Sequence, residues 1–200
     1  MLVLSSPSAA GKTTLSRALM VQEQEVRFSV SVTTRPKRPS EVEGVDYHFV
    51  DDAHFQAMQA AGDLLETSTI YGYHYATPAA QVEATLAAGQ DMIFELDAPG
   101  MLALKKAKPQ DVVSVFILPP SLEELEQRLR QRAQDDEAVM AKRLAQVAQE
   151  LAQWEAYDFV IINHDLTRAL QELSEILHAE RQRRHRMTGL RGFISRLIQP

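Results

Sequence analysis

Short apolar runs alternate with amphipathic stretches along much of the chain. Four apolar runs of strand length lie at residues 1–4, 91–97, 112–118 and 159–163. Each is followed by a segment of helical periodicity, as Leu15, Ala18 and Leu19 show after the first run. Continuously apolar strands that alternate with helices are typical of a parallel sheet covered on both faces. The pattern therefore predicts an α/β fold, with a parallel sheet flanked by helices.

Polar residues predict where two of the helices begin. Ser121 and Glu124 have the spacing of a capping box, which would open a helix that runs through Arg132. Asp165 is placed to cap the last long helix. The apolar face of that helix is predicted to consist of Leu166, Leu170, Leu173 and Leu177.

Two segments interrupt this alternation. Residues 32–78 contain short polar and aromatic strands around one helix at residues 52–61, which indicates a small inserted lobe. Residues 133–153 form a charged helical stretch that contains Arg143, and we interpret it as a lid. We therefore divide one domain into a core (residues 1–31, 79–132 and 154–184), a lobe (32–78), a lid (133–153) and a basic tail (185–200).

Composition and charge limit the compartment and the partners. The 200 residues include no cysteine, which suits a reducing compartment, so we expect a cytoplasmic protein. We expect neither an export signal nor a membrane span. The net charge is −6, but the last twenty residues hold six arginines and no acidic residue. The first 180 residues therefore carry 15 basic against 27 acidic residues, about −12, which argues against binding to nucleic acid.

The basic tail has its own pattern. Its arginines are interleaved with Phe193, Ile194, Leu197 and Ile198, which predicts a short amphipathic helix. We expect this helix to pack on the body of the chain or on a sister subunit, so a homo-oligomer is one alternative. A single short stripe offers little apolar area to a membrane.

The stretch SSPSAAGKTT, residues 5–14, follows the first strand and nearly fits the phosphate-binding pattern G-x-x-x-x-G-K-[ST]. Backbone N–H groups and the positive end of the next helix would bind phosphates there, and Lys12 would reach the outer ones. Ser6 and Ala9 stand where glycine is usual. The predicted ATP-binding residues of this loop are Ser6, Pro7, Ser8, Ala9, Ala10, Gly11, Lys12, Thr13 and Thr14.

A second set of cations follows in the predicted lobe. Arg35 and Arg38 flank a strand end and are followed by Tyr47. Guanidinium groups match phosphate oxygens with a fork of donors, which favours a second phosphate site opposite Lys12.

These residues carry a resemblance to the guanylate kinase family that covers residues 1 to about 184. The matching stretches are SVSVTTRPKRP, GVDYHFV, LLE at residues 64–66, YATP at 75–78, FILPPSLEELEQRL and YDFVIIN. The resemblance implies a P-loop NTPase core, an inserted GMP-binding lobe and a helical lid. It also implies transfer of the terminal phosphoryl group of Mg-ATP to GMP, with dGMP as a further acceptor.

The resemblance implies roles for the residues that bind the acceptor. The positions that hold the GMP phosphate are matched by Arg35, Arg38, Tyr47 and Tyr75. The positions that read the base are matched by Ser31, Glu66, Thr77 and Asp97. A carboxylate can only accept hydrogen bonds, which suits the N1–H and N2–H donors of guanine and not the N1 lone pair of adenine. We therefore expect Glu66 and Asp97 to select guanine; the alternatives are a surface carboxylate at a strand end for Glu66 and a helix cap for Asp97.

The resemblance also implies a catalytic and metal-binding set. Arg132 and Arg143 match the lid arginines, and we expect them to act with Lys12 and Arg35. Asn163 matches a position near the adenine of ATP. Mg²⁺ is expected to bind the hydroxyl of Thr13 directly and Glu95 through water.

The sequence departs from the family pattern after the predicted strand at residues 91–97. Relatives usually carry Asp-Ile-Asp-x-Gln-Gly, whereas residues 95–100 here read ELDAPG. Glu95 keeps the charge on a longer side chain, and Pro99 lacks a backbone N–H. Ala76 stands where glycine is usual.

Two other functions fit parts of the pattern. One is a related small-molecule kinase that phosphorylates a sugar phosphate such as ribose bisphosphate. Glu66, Thr77 and Asp97 would then have no guanine edge to read. The other is a catalytically silent module that binds protein ligands in the acceptor cleft, which the retained Lys12 and lid arginines disfavour.

Overall fold

A computed structural model describes residues 1–70, 72–132, 145 and 147–199. The strands are β1 (Leu2–Ser5), β2 (Val26–Phe28), β3 (Ser31–Thr33), β4 (Tyr47–Phe49), β5 (Leu64–Ile70), β6 (Tyr73–Pro78), β7 (Asp91–Glu95), β8 (Val113–Leu118) and β9 (Phe159–Ile162). The helices are α1 (Lys12–Gln22), α2 (Asp52–Ala61), α3 (Ala79–Ala87), α4 (Ala98–Ala107), α5 (Leu122–Arg132), α6 (Leu166–Arg181) and α7 (Leu190–Ile198). Short 3₁₀ turns lie at Trp154–Ala156 and Arg184–Arg186.

The main sheet has five strands in the order β2-β7-β1-β8-β9, and all neighbouring pairs are parallel. This confirms the predicted α/β architecture. Because the strands are parallel, their carboxyl ends lie at one edge of the sheet, where the loops after β1, β7 and β9 meet. Ligands of open α/β sheets bind at this edge.

Helices cover both faces of the main sheet. Leu2 and Leu4 of β1 pack in one apolar cluster with the buried leucines of α1 and α6. Val3 packs in a second cluster with residues of α3 and α4. Successive side chains of a strand point to opposite faces, so four apolar residues in a row serve both layers.

The inserted lobe is built on a second, smaller sheet. Its order is β4-β3-β6-β5, with β3 parallel to β4 and antiparallel to β6. Helix α2 covers this sheet and has the bounds that the sequence predicts. Phe55 of α2 is buried with Val32 and Ala76, which gives the lobe a small core of its own.

The helix starts that were predicted from polar residues are largely confirmed. Asp165 accepts a hydrogen bond from the Arg168 N–H at 2.9 Å at the start of α6. Ser121 accepts one from the Glu124 N–H at 3.1 Å, but the Glu124 carboxylate pairs with Arg128. The capping box is therefore only half formed: the serine hydrogen bond is present, whereas the Glu124 carboxylate binds Arg128 and not the Ser121 N–H.

The structure differs from the prediction in some details. The strand predicted at residues 91–97 ends at Glu95, because Asp97 turns away to cap α4. Leu166 is the first residue of α6 and is 41% exposed, so the buried part of the predicted apolar face begins later in the helix. Strand β2 and helix α3 carry no strong periodicity and were missed.

Helix α7 forms where the tail predicts an amphipathic helix. None of its residues is buried, so the structure does not pack it into the body of the chain. Of the helices in residues 1–70, 72–132 and 147–199, none has both the length and the apolar character needed to cross a bilayer.

Candidate active site

The loop between β1 and α1 has the backbone of a phosphate-binding turn. Gly11 has φ of 103°, in the left-handed region that favours glycine. Ala9 also lies in that region, with φ of 67°, although alanine has a Cβ. The Ala10 N–H closes a turn with the Pro7 carbonyl at 3.2 Å. Ala9 therefore takes the conformation that its position demands, at a cost of about 1 to 2 kcal/mol.

Asn163 supports this loop from below. It follows β9, is buried, and its Nδ2 donates to the Ala10 carbonyl at 2.9 Å. A Cβ on Gly11 would clash with that same Nδ2. Gly11 is thus required both for its backbone angle and for space. A cavity of about 290 Å³ beside the loop is lined by Ala9, Gly11, Thr14, Arg128 and Asn163, among others.

Three oxygen-bearing side chains meet at the start of α1. The Thr13 hydroxyl donates to Glu95 Oε2 at 2.8 Å. The Ser16 hydroxyl donates to Glu95 Oε1 at 2.6 Å. Glu95 therefore lies directly below the phosphate loop, where β7 ends beside β1.

Arg35 is fixed on several sides in the inserted lobe. Its side chain is 11% exposed, its Nε donates to the Tyr75 hydroxyl at 3.2 Å, and its guanidinium lies 5.4 Å from the Tyr47 ring centroid. Burial opposes the charge, but hydrogen bonds with Glu41 and Tyr75 outweigh burial and raise the pKa of Arg35. Burial raises the pKa of Tyr47 to about 12, so its phenol remains a donor near neutrality.

Glu41 links the two arginines of the lobe. Its Oε1 accepts from Arg35 Nη2 at 2.6 Å, and its Oε2 accepts from the Arg38 N–H at 2.8 Å. Burial would raise the pKa of Glu41, but these bonds overcome that effect and lower it. The guanidinium of Arg38 is 69% exposed and lies 3.8 Å from the Glu41 carboxylate.

Glu66 is a buried carboxylate at the inner end of the lobe. It is 5% exposed, and its Oε1 accepts from the Thr77 hydroxyl at 2.7 Å. Its Oε2 is buried and has no hydrogen-bond partner among the described residues. Burial raises the pKa of Glu66 to about 7; hydrogen bonds from Thr77 oppose the rise and the charge of Asp97 adds to it.

Asp97 brings a second carboxylate close to Glu66. As the N-cap of α4, its Oδ1 accepts from the Gly100 N–H at 3.1 Å. A Cβ on Gly100 would lie 2.9 Å from Asp97 Oδ1 and 3.2 Å from Glu66 Oε2. The two carboxylates therefore approach each other above Gly100. Asp97 caps α4, which is the alternative role that the sequence suggests for it.

The phosphate loop and the lobe lie next to each other. Arg17 of α1 forms an ion pair with Asp46 of the lobe at 3.1 Å. This pair connects the lobe to the helix that begins at the phosphate loop.

Comparison with known proteins places this arrangement in a family. The guanylate kinase family model matches residues 1–180. A guanylate kinase of Bradyrhizobium diazoefficiens is 52% identical over 194 residues, 97% of this chain and 89% of that protein. One of Nitrobacter winogradskyi is 50% identical over 197 residues, 98% of this chain and 90% of that protein.

The chain belongs to the guanylate kinase family. The crystal structure of a guanylate kinase from Anaplasma phagocytophilum agrees in fold, with a TM-score of 0.82 and 34% identity. The alignment covers all of this chain and 96% of that one. Family membership accounts for the parallel core sheet with its inserted lobe.

Most of the predicted site residues lie together. Ala9, Gly11, Thr14 and Asn163 line the cavity beside the phosphate loop. In the lobe, Arg35 contacts Tyr47 and Tyr75, and Arg38 lies near Glu41, which also binds Arg35. Ser31 is buried in β3, which pairs with β6, and Thr77 is buried in β6 itself. Arg143 lies outside the described residues, as does most of the predicted lid, and of Arg132 only the backbone is described.

Sequence reasoning missed three residues of the site. Ser16 binds Glu95 from one turn beyond the phosphate-loop motif. Glu41 lies among exposed polar residues of the lobe, and no periodicity marks it. Glu150 lies near the Ser8 backbone and Lys12; burial raises its pKa, and these two neighbours oppose the rise. The only signal for Ser16 is its helical position facing the end of β7.

Proposed function

We propose that this chain transfers the terminal phosphoryl group of ATP to GMP, giving ADP and GDP. ATP would bind the phosphate loop through residues 6–14, with its base near Asn163. GMP would bind the lobe, with its phosphate between Arg35, Arg38, Tyr47 and Tyr75. Its base would lie against Ser31, Glu66, Thr77 and Asp97. The proposal rests on the family and on the adjacency of the two anion-binding arrangements.

The buried carboxylate of Glu66 is the observation that best supports guanine as the acceptor base. One of its oxygens binds Thr77, and the other is buried without a partner in the described residues. A buried acceptor that lacks a donor is unfavourable until a ligand supplies one. Guanine presents two adjacent donors, N1–H and N2–H, whereas the same edge of adenine presents a lone pair. Of these two purines, guanine is therefore the one whose edge satisfies ionised Glu66.

Phosphoryl transfer depends on positioning and on neutralised charge more than on a strong base. Lys12 supplies a cation at the phosphate loop, and Arg35 supplies one at the acceptor phosphate. In this proposal Arg132 and Arg143 add cations from the lid. The Tyr75 phenol accepts from Arg35, which leaves its own proton available to a phosphate oxygen.

Mg²⁺ fits the oxygen donors at the start of α1. Thr13 and Ser16 both bond to Glu95, so two hydroxyls and one carboxylate converge below the loop. Such hard oxygen ligands are those that Mg²⁺ binds, usually with retained waters. Thr13 would hold the ion directly and Glu95 would hold it through water. The ion would neutralise charge on the phosphates of ATP.

The proposed site would also accept dGMP, because the residues assigned to the base and the phosphate make no use of the ribose. The enzyme would act in the cytoplasm, where ATP and GMP are found. A chain without cysteine has no disulfide bonds to form, so it does not need an oxidising compartment. Pairing of α7 with a sister subunit would cover its exposed apolar stripe.

A coupled ADP-release assay tests the acceptor. ATP is offered with GMP, dGMP, AMP, UMP or ribose bisphosphate at equal concentration. We expect GMP and dGMP to be phosphorylated and AMP to react at least about 10⁴-fold more slowly, the scale on which buried polar sites discriminate. Turnover of AMP or ribose bisphosphate at a rate near that of GMP would overturn the assignment of Glu66.

A further inference from the structure

The geometry points to Glu41 as a positioning residue for the acceptor phosphate. Its carboxylate holds the Arg35 guanidinium and the Arg38 main chain in the arrangement that receives the phosphate of GMP. This inference rests on the proposed function, because it concerns the same acceptor site. The Glu41 carboxylate is thus a negative group with a positioning role beside a phosphate that is itself negative.

The contacts of Glu41 bring two separate parts of the lobe loop together. Oε1 accepts from the Arg35 side chain at 2.6 Å, while Oε2 accepts from the Arg38 N–H at 2.8 Å. The Glu41 N–H donates back to the Arg38 carbonyl at 3.1 Å, so residues 38–41 form a closed turn. Both partners of the ion pair are shielded, with Arg35 11% and Glu41 12% exposed. A shielded pair of this geometry is screened little by solvent.

Arg35 keeps donors free for a ligand while it is held. Its Nε is bonded to Tyr75, one N–H of Nη1 to the Pro36 carbonyl, and one of Nη2 to Glu41. A guanidinium has five N–H donors, so two are not used by these bonds within the described part of the chain. The faces of Tyr47 and Phe49 lie 5.4 and 5.8 Å from the guanidinium carbon and fix its plane.

Two readings of Glu41 predict opposite signs. If Glu41 competes with the phosphate for Arg35, then neutralising it should tighten GMP binding. If Glu41 positions the cations, neutralising it should weaken GMP binding. The second bond to the Arg38 N–H favours positioning, since a carboxylate that only blocked Arg35 would not tie it to the backbone of the other cation.

The Glu41→Gln variant separates the two readings. Glutamine replaces one of the two carboxylate oxygens by an NH₂ donor, so either the Arg35 or the Arg38 N–H would face a donor instead of an acceptor. We expect the KM for GMP to rise about 10- to 100-fold, the scale on which displacement of a group by about 1 Å acts. The KM for ATP should stay within about twofold. The Ki of guanosine, which lacks the phosphate, should not change, whereas damage to the whole lobe would weaken guanosine as well.

Glu43→Gln is the matched control. Glu43 lies two residues away, accepts from the Phe49 N–H at 3.0 Å and pairs with His48, and it forms neither a hydrogen bond nor an ion pair with Arg35 or Arg38. We expect its kinetic constants for GMP to match those of the parent chain. Glu41→Asp, which keeps the charge on a shorter side chain, should recover part of the loss.

The outcomes distinguish this inference from the proposed function. If the parent chain does not phosphorylate GMP, the proposed function itself fails. If the parent is active and Glu41→Gln leaves the KM for GMP unchanged or lowers it, the positioning role is wrong. A parallel loss of guanosine binding in Glu41→Gln would also contradict it, since the effect would then not act through the phosphate cations.

Discussion

Replacing Glu66 with glutamine should stabilise the folded protein above pH 7 and impair its use of GMP. Burial raises the pKa of Glu66 to about 7 from an ordinary value of 4.5, with the charge of Asp97 adding to the rise. Each pKa unit corresponds to about 1.4 kcal/mol, so the ionised form destabilises the folded state by up to about 3 kcal/mol. The contribution of protonated Glu66 to the free energy of unfolding is fully present below pH 4.5. It is lost as the pH rises through about 7 and the buried carboxyl ionises.

Glutamine is neutral at every pH and keeps the shape of the side chain. The free energy of unfolding of Glu66→Gln should therefore exceed that of the parent by an amount that grows by about 2 kcal/mol from about pH 5.5 to pH 8.5. Urea unfolding at a series of pH values measures this difference. At pH 8 the kcat/KM for GMP should fall at least about 10²-fold. The carboxylate has two acceptor oxygens for the Thr77 hydroxyl and the two guanine N–H donors, whereas glutamine has only one.

Glu83→Gln serves as the control, since that carboxylate is 64% exposed on α3. It should leave both the pH dependence of stability and the use of GMP unchanged. A stability difference between Glu66→Gln and the parent that does not vary with pH would contradict the raised pKa of Glu66. A variant that keeps the parent kcat/KM for GMP would contradict the role of Glu66 in binding guanine.

Three further changes test other parts of the site. Lys12→Ala should abolish phosphoryl transfer and leave the Kd of GMP, measured by calorimetry, within about threefold, since GMP binds the other pocket. Ser16→Ala should raise the Mg²⁺ concentration for half-maximal activity several-fold, because Glu95 loses one of two hydroxyl donors; an unchanged Mg²⁺ titration would exclude Ser16 from the metal site. Gly11→Ala should weaken ATP binding at least about tenfold and lower stability by about 2 kcal/mol, since its Cβ meets Asn163 at a positive φ.

The core of the fold follows from short-range patterns. Apolar runs of strand length mark β1, β7, β8 and β9, and Asp165 marks the start of α6, because burial on both faces and helix capping depend on neighbouring residues. Strand β2 has three residues with one buried, and its place at the sheet edge is set by pairing with the distant β7. Such pairing has no local signature.

The active site shows the same limit. The phosphate loop is a contiguous motif, so its residues could be assigned from the sequence. Glu41 binds Arg35, which lies 6 positions away, and Ser16 binds Glu95, which lies 79 positions away, so both depend on partners that the fold brings close. For Asp97 the sequence offered two roles, a helix cap and a base-reading carboxylate, and the structure shows the cap.

A crystal structure of the chain with bound GMP would locate both the base and the phosphate of the acceptor. We expect N1 and N2 of guanine to lie within about 3 Å of the Glu66 carboxylate oxygens, the ordinary length of such hydrogen bonds. We also expect the phosphate to contact Arg35 and the Tyr75 hydroxyl and to face the Lys12 side of the cleft. A purine edge directed away from Glu66, or a phosphate bound outside the Arg35 pocket, would contradict the proposed binding of GMP.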